Sequence, residues 1–80
     1  MNLVYKAKYE VGSKVLIAGR SALESFMTNW KYHNKLKPDQ LEFAETMALV
    51  KSVGFYHGGD VLYTLEGVPG IWHEVCLSAA

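Results

Sequence analysis

Apolar and polar residues alternate in four short stretches of the chain and follow a helical period in one. Over residues 14–18, Val15 and Ile17 point one way and Leu16 and Ala18 the other, which predicts a strand. Leu23, Phe26, Met27 and Trp30 then recur at i, i+3, i+4 and i+7, one face of an amphipathic helix over about 22–33. Ser21 and Glu24 have the spacing of a capping box at its start, and Asn34 suits its end. Residues 36–52 read two ways. Pro38 and Asp39 favour a helix start, and Leu41, Ala44 and Ala48 would allow the helix to continue to Ser52. The favoured reading is a helical turn near 38–44, then a strand over 46–56 rich in Val, Phe and Tyr.

Two further strands follow, at 61–66 and 71–76. Gly58-Gly59 supplies the positive φ angles of a two-residue hairpin between 46–56 and 61–66. His57 and Asp60 flank that turn and are expected to pair across its mouth. Val68-Pro69-Gly70-Ile71 fits a type II turn before the last strand. The whole is one domain over residues 1–80, mainly β with one helix.

Half of the residues are hydrophobic and the aromatics number 3 Phe, 2 Trp and 5 Tyr, which excludes intrinsic disorder. So much apolar surface on 80 residues also suggests self-association, since a core this small cannot hide it all. Net charge is zero but uneven. Residues 1–40 carry seven Lys/Arg against three Asp/Glu, and residues 41–80 carry one against five. The halves therefore complement each other, within the fold or between copies, or present a basic face to an anionic partner. The single cysteine, Cys76, can form no internal disulfide, which suits a reducing cytoplasm. No apolar run is long enough to span a membrane, and the alternating N-terminal stretch lacks the apolar core of a signal peptide.

The order of elements resembles an SH3-like small β-barrel, partly open, of four or five strands with the helix inserted. Three stretches carry the resemblance: Tyr9-Glu-Val-Gly-Ser-Lys-Val15, similar to the common opening of such barrels; Val50-Lys-Ser-Val-Gly-Phe-Tyr56; and the closing Gly70-Ile-Trp-His-Glu-Val-Cys-Leu77. Small uncharacterised proteins of phages, plasmids and integron cassettes carry strand series of this kind. The plasmid-borne type II dihydrofolate reductase is a related barrel, and its Val-Gly-Trp-Tyr is similar to Val53-Gly-Phe-Tyr56. Where that enzyme has a catalytic Val-Gln-Ile-Tyr strand, this chain offers Ile71-Trp-His-Glu74, so no catalytic residue is carried over.

Candidate chemistry is sparse. His73, Glu74 and Cys76 are close in sequence, but on a strand His73 and Cys76 face opposite sides, and no metal-binding spacing is present. No metal or cofactor is expected, and Cys76 reads as a small buried hydrophobe. Trp30, Lys31, Tyr32, His33, Lys35 and Lys37 interleave rings with positive charge, the composition of a nucleic-acid contact. Tyr56, Tyr63 and Trp72 either pack in the core and across strands, the favoured reading, or line an aromatic groove for an extended peptide, with Trp30 as a further contact and Trp72 only partly buried. The expected function is a non-enzymatic accessory or adaptor module that binds protein as a homo-oligomer. The alternatives are nucleic-acid binding through Lys31–Lys37 and a reductase-like oligomeric pore enzyme.

Overall fold

The structure, a computed structural model, describes residues 6–56 and 59–80. Its elements are β1 (Lys14–Ile17), α1 (Arg20–Asn29), a 3-10 helix (Pro38–Phe43), β2 (Met47–Phe55), β3 (Val61–Leu65), β4 (Val68–His73), a 3-10 turn (Glu74–Cys76) and β5 (Leu77–Ala79). The strands form one antiparallel sheet in the order β4-β3-β2-β1-β5. The sheet is open, with β4 and β5 at its edges.

β2 organises this sheet. Its first part pairs with β1 (Val15 opposite Ala48) and its second with β3 (Val53 opposite Tyr63). Between them Val50 faces Leu65 while Ser52 already faces Thr64, so Lys51 is an extra residue on β2. Such a bulge bends a strand and shifts its alternation by one. Ala48 and Val50 turn inward before it and Val53 after it, while Met47 and Leu49 stand outside. The bend lets both halves of the sheet face one core, in which Val15, Ile17, Leu23, Val50, Tyr63 and Trp72 are at most 1% exposed.

The 46–56 strand and the helical turn after Pro38 match the structure; α1 does not start or end as expected. Gly19 is its N-cap, with no side-chain cap, and Ser21 lies within the first turn. Glu24 reaches back to Arg20 instead, Nε to Oε2 at 3.0 Å, in an exposed i,i+4 pair. There is no capping box, because the chain leaving β1 already turns into the helix two residues earlier. Ser21→Ala is therefore expected to change stability by less than about 0.5 kcal/mol, read from the urea midpoint. A loss of about 1 kcal/mol or more would restore Ser21 as the cap. At the other end the helix stops at Asn29. Trp30 leaves its expected place on the apolar stripe because its indole N–H donates to His33 O at 2.7 Å, which turns the chain back.

The closing segment also differs. Leu65 pairs with Val68, so the turn is Glu66-Gly67, with Gly67 at φ 72°. Val68–Ile71, expected as a turn, belongs to β4. Tyr63 faces Trp72 and Leu65 faces Val68, so Pro69, Gly70 and Ile71 bulge opposite Thr64 alone. A proline, which lacks an N–H, fits there because β4 is an edge. Beyond His73 the expected strand becomes the Glu74–Cys76 turn, and β5 then pairs with β1. The Gly58-Gly59 hairpin lies partly outside the described residues. Tyr56 N–H donates to Asp60 O at 2.9 Å.

Candidate functional site

The structure does not bring Tyr56, Tyr63, Trp72 and Trp30 onto one surface. Tyr63 and Trp72 are neighbours across β3 and β4, but both lie in the core, at 1% and 0% exposed. Trp72, expected with its indole edge free, donates that N–H to Pro69 O at 3.2 Å. Tyr63 donates its hydroxyl to Glu74 Oε2 and accepts from the Tyr9 N–H at 3.3 Å. Burial first, then the Glu74 carboxylate, pushes its pKa up to about 12. The bend at Lys51 and the bulge in β4 turn this aromatic row inward, which the sequence pattern does not distinguish from an outward one.

Tyr56 and Trp30 instead meet around His33. The Tyr56 ring stacks on His33 with centroids 3.6 Å apart and planes 9° apart. Trp30 meets His33 edge-on at 5.4 Å, stacks on Phe26 at 5.5 Å and tilts against His73 at 4.9 Å. His33 Nε2 lies 2.8 Å from Asp60 Oδ2, and Nδ1 lies 2.8 Å from Asn34 Oδ1. Asp60, expected to pair with His57, thus takes a partner from the helix-side connection, while His57 itself lies outside the described residues. His73 is buried and donates its Nε2–H to Asn34 O at 2.9 Å, since a carbonyl can only accept.

The two imidazoles are tuned in opposite directions. The hydrogen bond to Asn34 raises His33 above its ordinary value, desolvation opposes it, and the bond to and charge of Asp60 add to the rise. Desolvation lowers His73. Cys76, in the adjoining turn, is buried, and its thiol is pushed up to about 11, so it is protonated and a poor nucleophile at neutral pH. Among the described residues no three His, Cys, Asp or Glu side chains are grouped to hold a metal ion.

Residues 30–37, held at His33 and Asn34, form one wall of a groove of about 430 Å³. Tyr32, Asn34, Lys35 and Lys37 line it from this segment, Gln40 from the 3-10 helix, and Gly70 and Ile71 from the β4 bulge. Tyr32 is 70% exposed. Among the described residues the ion pairs are Arg20–Glu24 and His33–Asp60, so Lys31, Lys35 and Lys37 carry uncompensated charge. Gln40 is buried at the floor. Its Oε1 accepts from the Lys37 N–H at 2.8 Å and its Nε2 donates to Ile71 O at 3.2 Å. It thereby ties the 3-10 helix to the edge strand.

Sequence reasoning gives Lys31–Lys37 as a nucleic-acid contact, does not place it in this groove, and misses Gln40 and the His33–Asp60 contact. Gln40 had a signal: it lies three residues after Lys37, where a Gln side chain reaches back to the residue before a helix. The His33–Asp60 pair joins residues 27 apart and leaves no local trace. No known protein family, curated protein or solved structure matches the chain.

Proposed function

We propose that this domain is a non-enzymatic protein-binding module that takes an extended acidic segment of a partner into the Tyr32–Ile71 groove. One observation carries the reading: an exposed tyrosine stands beside unpaired lysines over a rigid floor of Gln40 and Gly70. An exposed ring offers apolar contact area at low entropic cost, and the lysines supply charge complementarity at the rim. An SH3-like, partly open barrel is supported by the long β2 shared between two halves of the sheet and by the 3-10 turn leading into β5. Self-association belongs to the same reading. Met47 and Leu49 stand 60% and 45% exposed on the outer face of β2, a surface suited to a second copy.

A nucleic-acid partner is the second reading, favoured by the same exposed Tyr32 among lysines, an arrangement on which a base can stack. The zero net charge and the acidic second half of the chain weigh against it, because nucleic-acid affinity rests on a broad positive field. Titrating the isotope-labelled protein with a synthetic Asp/Glu-rich peptide, and separately with an oligo-dT strand, distinguishes the two. The expected result is saturable shifts at Tyr32, Lys35, Gly70 and Ile71 with the peptide. Lys35→Glu combined with Lys37→Glu should weaken that binding about tenfold or more. Tighter, steeply salt-dependent binding of the oligonucleotide would transfer the groove to the second reading. No shift with either ligand would remove both.

A further inference from the structure

We infer that His33 is a proton-operated clasp: as an imidazolium it donates one ring N–H to Asn34 Oδ1 and the other to Asp60 Oδ2, and on losing a proton it lets residues 30–37 come away from the β2–β3 hairpin. This concerns regulation of the proposed binding groove and rests on that reading for its purpose, though not for its test.

The argument is one of donors and acceptors. Both ring nitrogens lie 2.8 Å from an oxygen, one of a carboxamide and one of a carboxylate. A neutral imidazole has a single N–H, so one of these contacts would set lone pair against lone pair. The imidazolium satisfies both. The Tyr56 ring lying parallel at 3.6 Å offers its electron-rich face to the same cation. Neutral His33 requires the Asn34 side chain to turn over. Asn34 sits at φ 49° with its own carbonyl held by His73, so its backbone is fixed in place beside the imidazole.

Among the described residues, the titratable groups against His33 are Asp60 from the hairpin, Tyr56 from the end of β2 and His73 from β4. Asp60 favours the cation. His73, 5.5 Å away, is buried, and its lowered value keeps it uncharged where His33 is charged. The signs then define a window. A raised histidine contributes stability that is complete below the unfolded value of about 6.5 and is lost as pH rises through the folded value. A lowered histidine costs stability as pH falls below about 6.5, because the unfolded chain takes up the proton and the fold resists it. The clasp is thus closed between the two folded values and weakens on either side. Since residues 30–37 carry Tyr32, Lys35 and Lys37, the groove is formed where the clasp is shut.

The test uses the full chain without ligand. Imidazole titration by heteronuclear NMR from about pH 5 to 9 should show His33 titrating above 6.5, with both ring nitrogens protonated at its acidic limit, and His73 titrating below it. Across the same transition the 15N heteronuclear NOE of residues 31–36 should fall towards the values of a mobile loop, while that of the β-sheet amides holds. Asp60→Asn should bring His33 down towards 6.5 and flatten that fall, with sheet amides again reporting an intact fold. A His33 that titrates at or below 6.5, or a heteronuclear NOE of residues 31–36 that ignores pH in the wild-type chain, overturns the clasp. Peptide binding that is absent at every pH would count against the groove's function and leave these readouts unaffected.

Discussion

Trp72→Ala is expected to lower the melting temperature of the domain by about 12 °C or more. Trp72 is the largest fully buried side chain and packs opposite Tyr63 in the middle of the core. Truncating a buried Trp costs about 3–5 kcal/mol, from lost transfer energy and from the cavity left behind. A domain of 80 residues has only about 4–12 kcal/mol in total, and the bulge in β4 leaves the neighbouring backbone little freedom to collapse into the void. Far-UV circular dichroism and thermal melting read the outcome. A mutant melting within a few degrees of wild type would mean that the indole contributes little to the core. Tyr63→Phe, by contrast, keeps the ring and loses the bonds with Glu74 and Tyr9, so it should remain folded.

Gly70→Ala is expected to be more damaging than Gly12→Ala, at about 2–5 kcal/mol. Two costs add. Gly70 sits at φ 92°, where an L side chain is strained by about 1–2 kcal/mol. The added Cβ would also come within 2.7 Å of Gln40 Nε2. Gln40 is buried and bonded on both sides, so it cannot yield without leaving the Lys37 N–H or Ile71 O unsatisfied, at about 1–3 kcal/mol. Gly12→Ala separates the terms, because Gly12 has nearly the same φ, 90°, with nothing within 4 Å of the new methyl. Urea denaturation of the two variants should show Gly70→Ala the worse by at least about 1 kcal/mol. Equal losses would mean that Gln40 adapts and that the floor of the groove is soft.

The parts of the fold legible in the sequence are those decided by local alternation. Val15 and Ile17 point into the core, the stretch from 47 to 55 is a strand, and Leu23, Phe26 and Met27 give α1 its inner face. The misreadings share one cause: a local signal that two structures can use. Pro69-Gly70 suits a type II turn, and it equally suits a bulge on an edge strand, where the missing N–H costs nothing and a positive φ is needed. Ser21 and Glu24 have capping-box spacing, but the path out of β1 decided where the helix begins. The groove between Tyr32 and Ile71 is not legible in the sequence, which places a groove at Tyr56, Tyr63 and Trp72 and gives Lys31–Lys37 only as a nucleic-acid contact. The tie to Asp60 depends on how β2 and β3 bring a distant loop alongside the helix, a fact about tertiary packing that no window of neighbouring residues contains.

The pairing of Val15 with Ala79 has a further meaning for how the chain is made. These partners are 64 positions apart, whereas the β2–β3 and β3–β4 pairings are local hairpins that close quickly. β2, β3 and β4 can pair as hairpins before β5 reaches β1. Until it does, β1 keeps one edge unpaired and the place of Leu77 in the core stays empty. The closure of β5 onto β1 is therefore the long-range step of folding, slower than the hairpins because of its loop-closure entropy. A chain in that interval exposes both a strand edge and an apolar hollow, the two features by which unfinished proteins engage chaperones or one another.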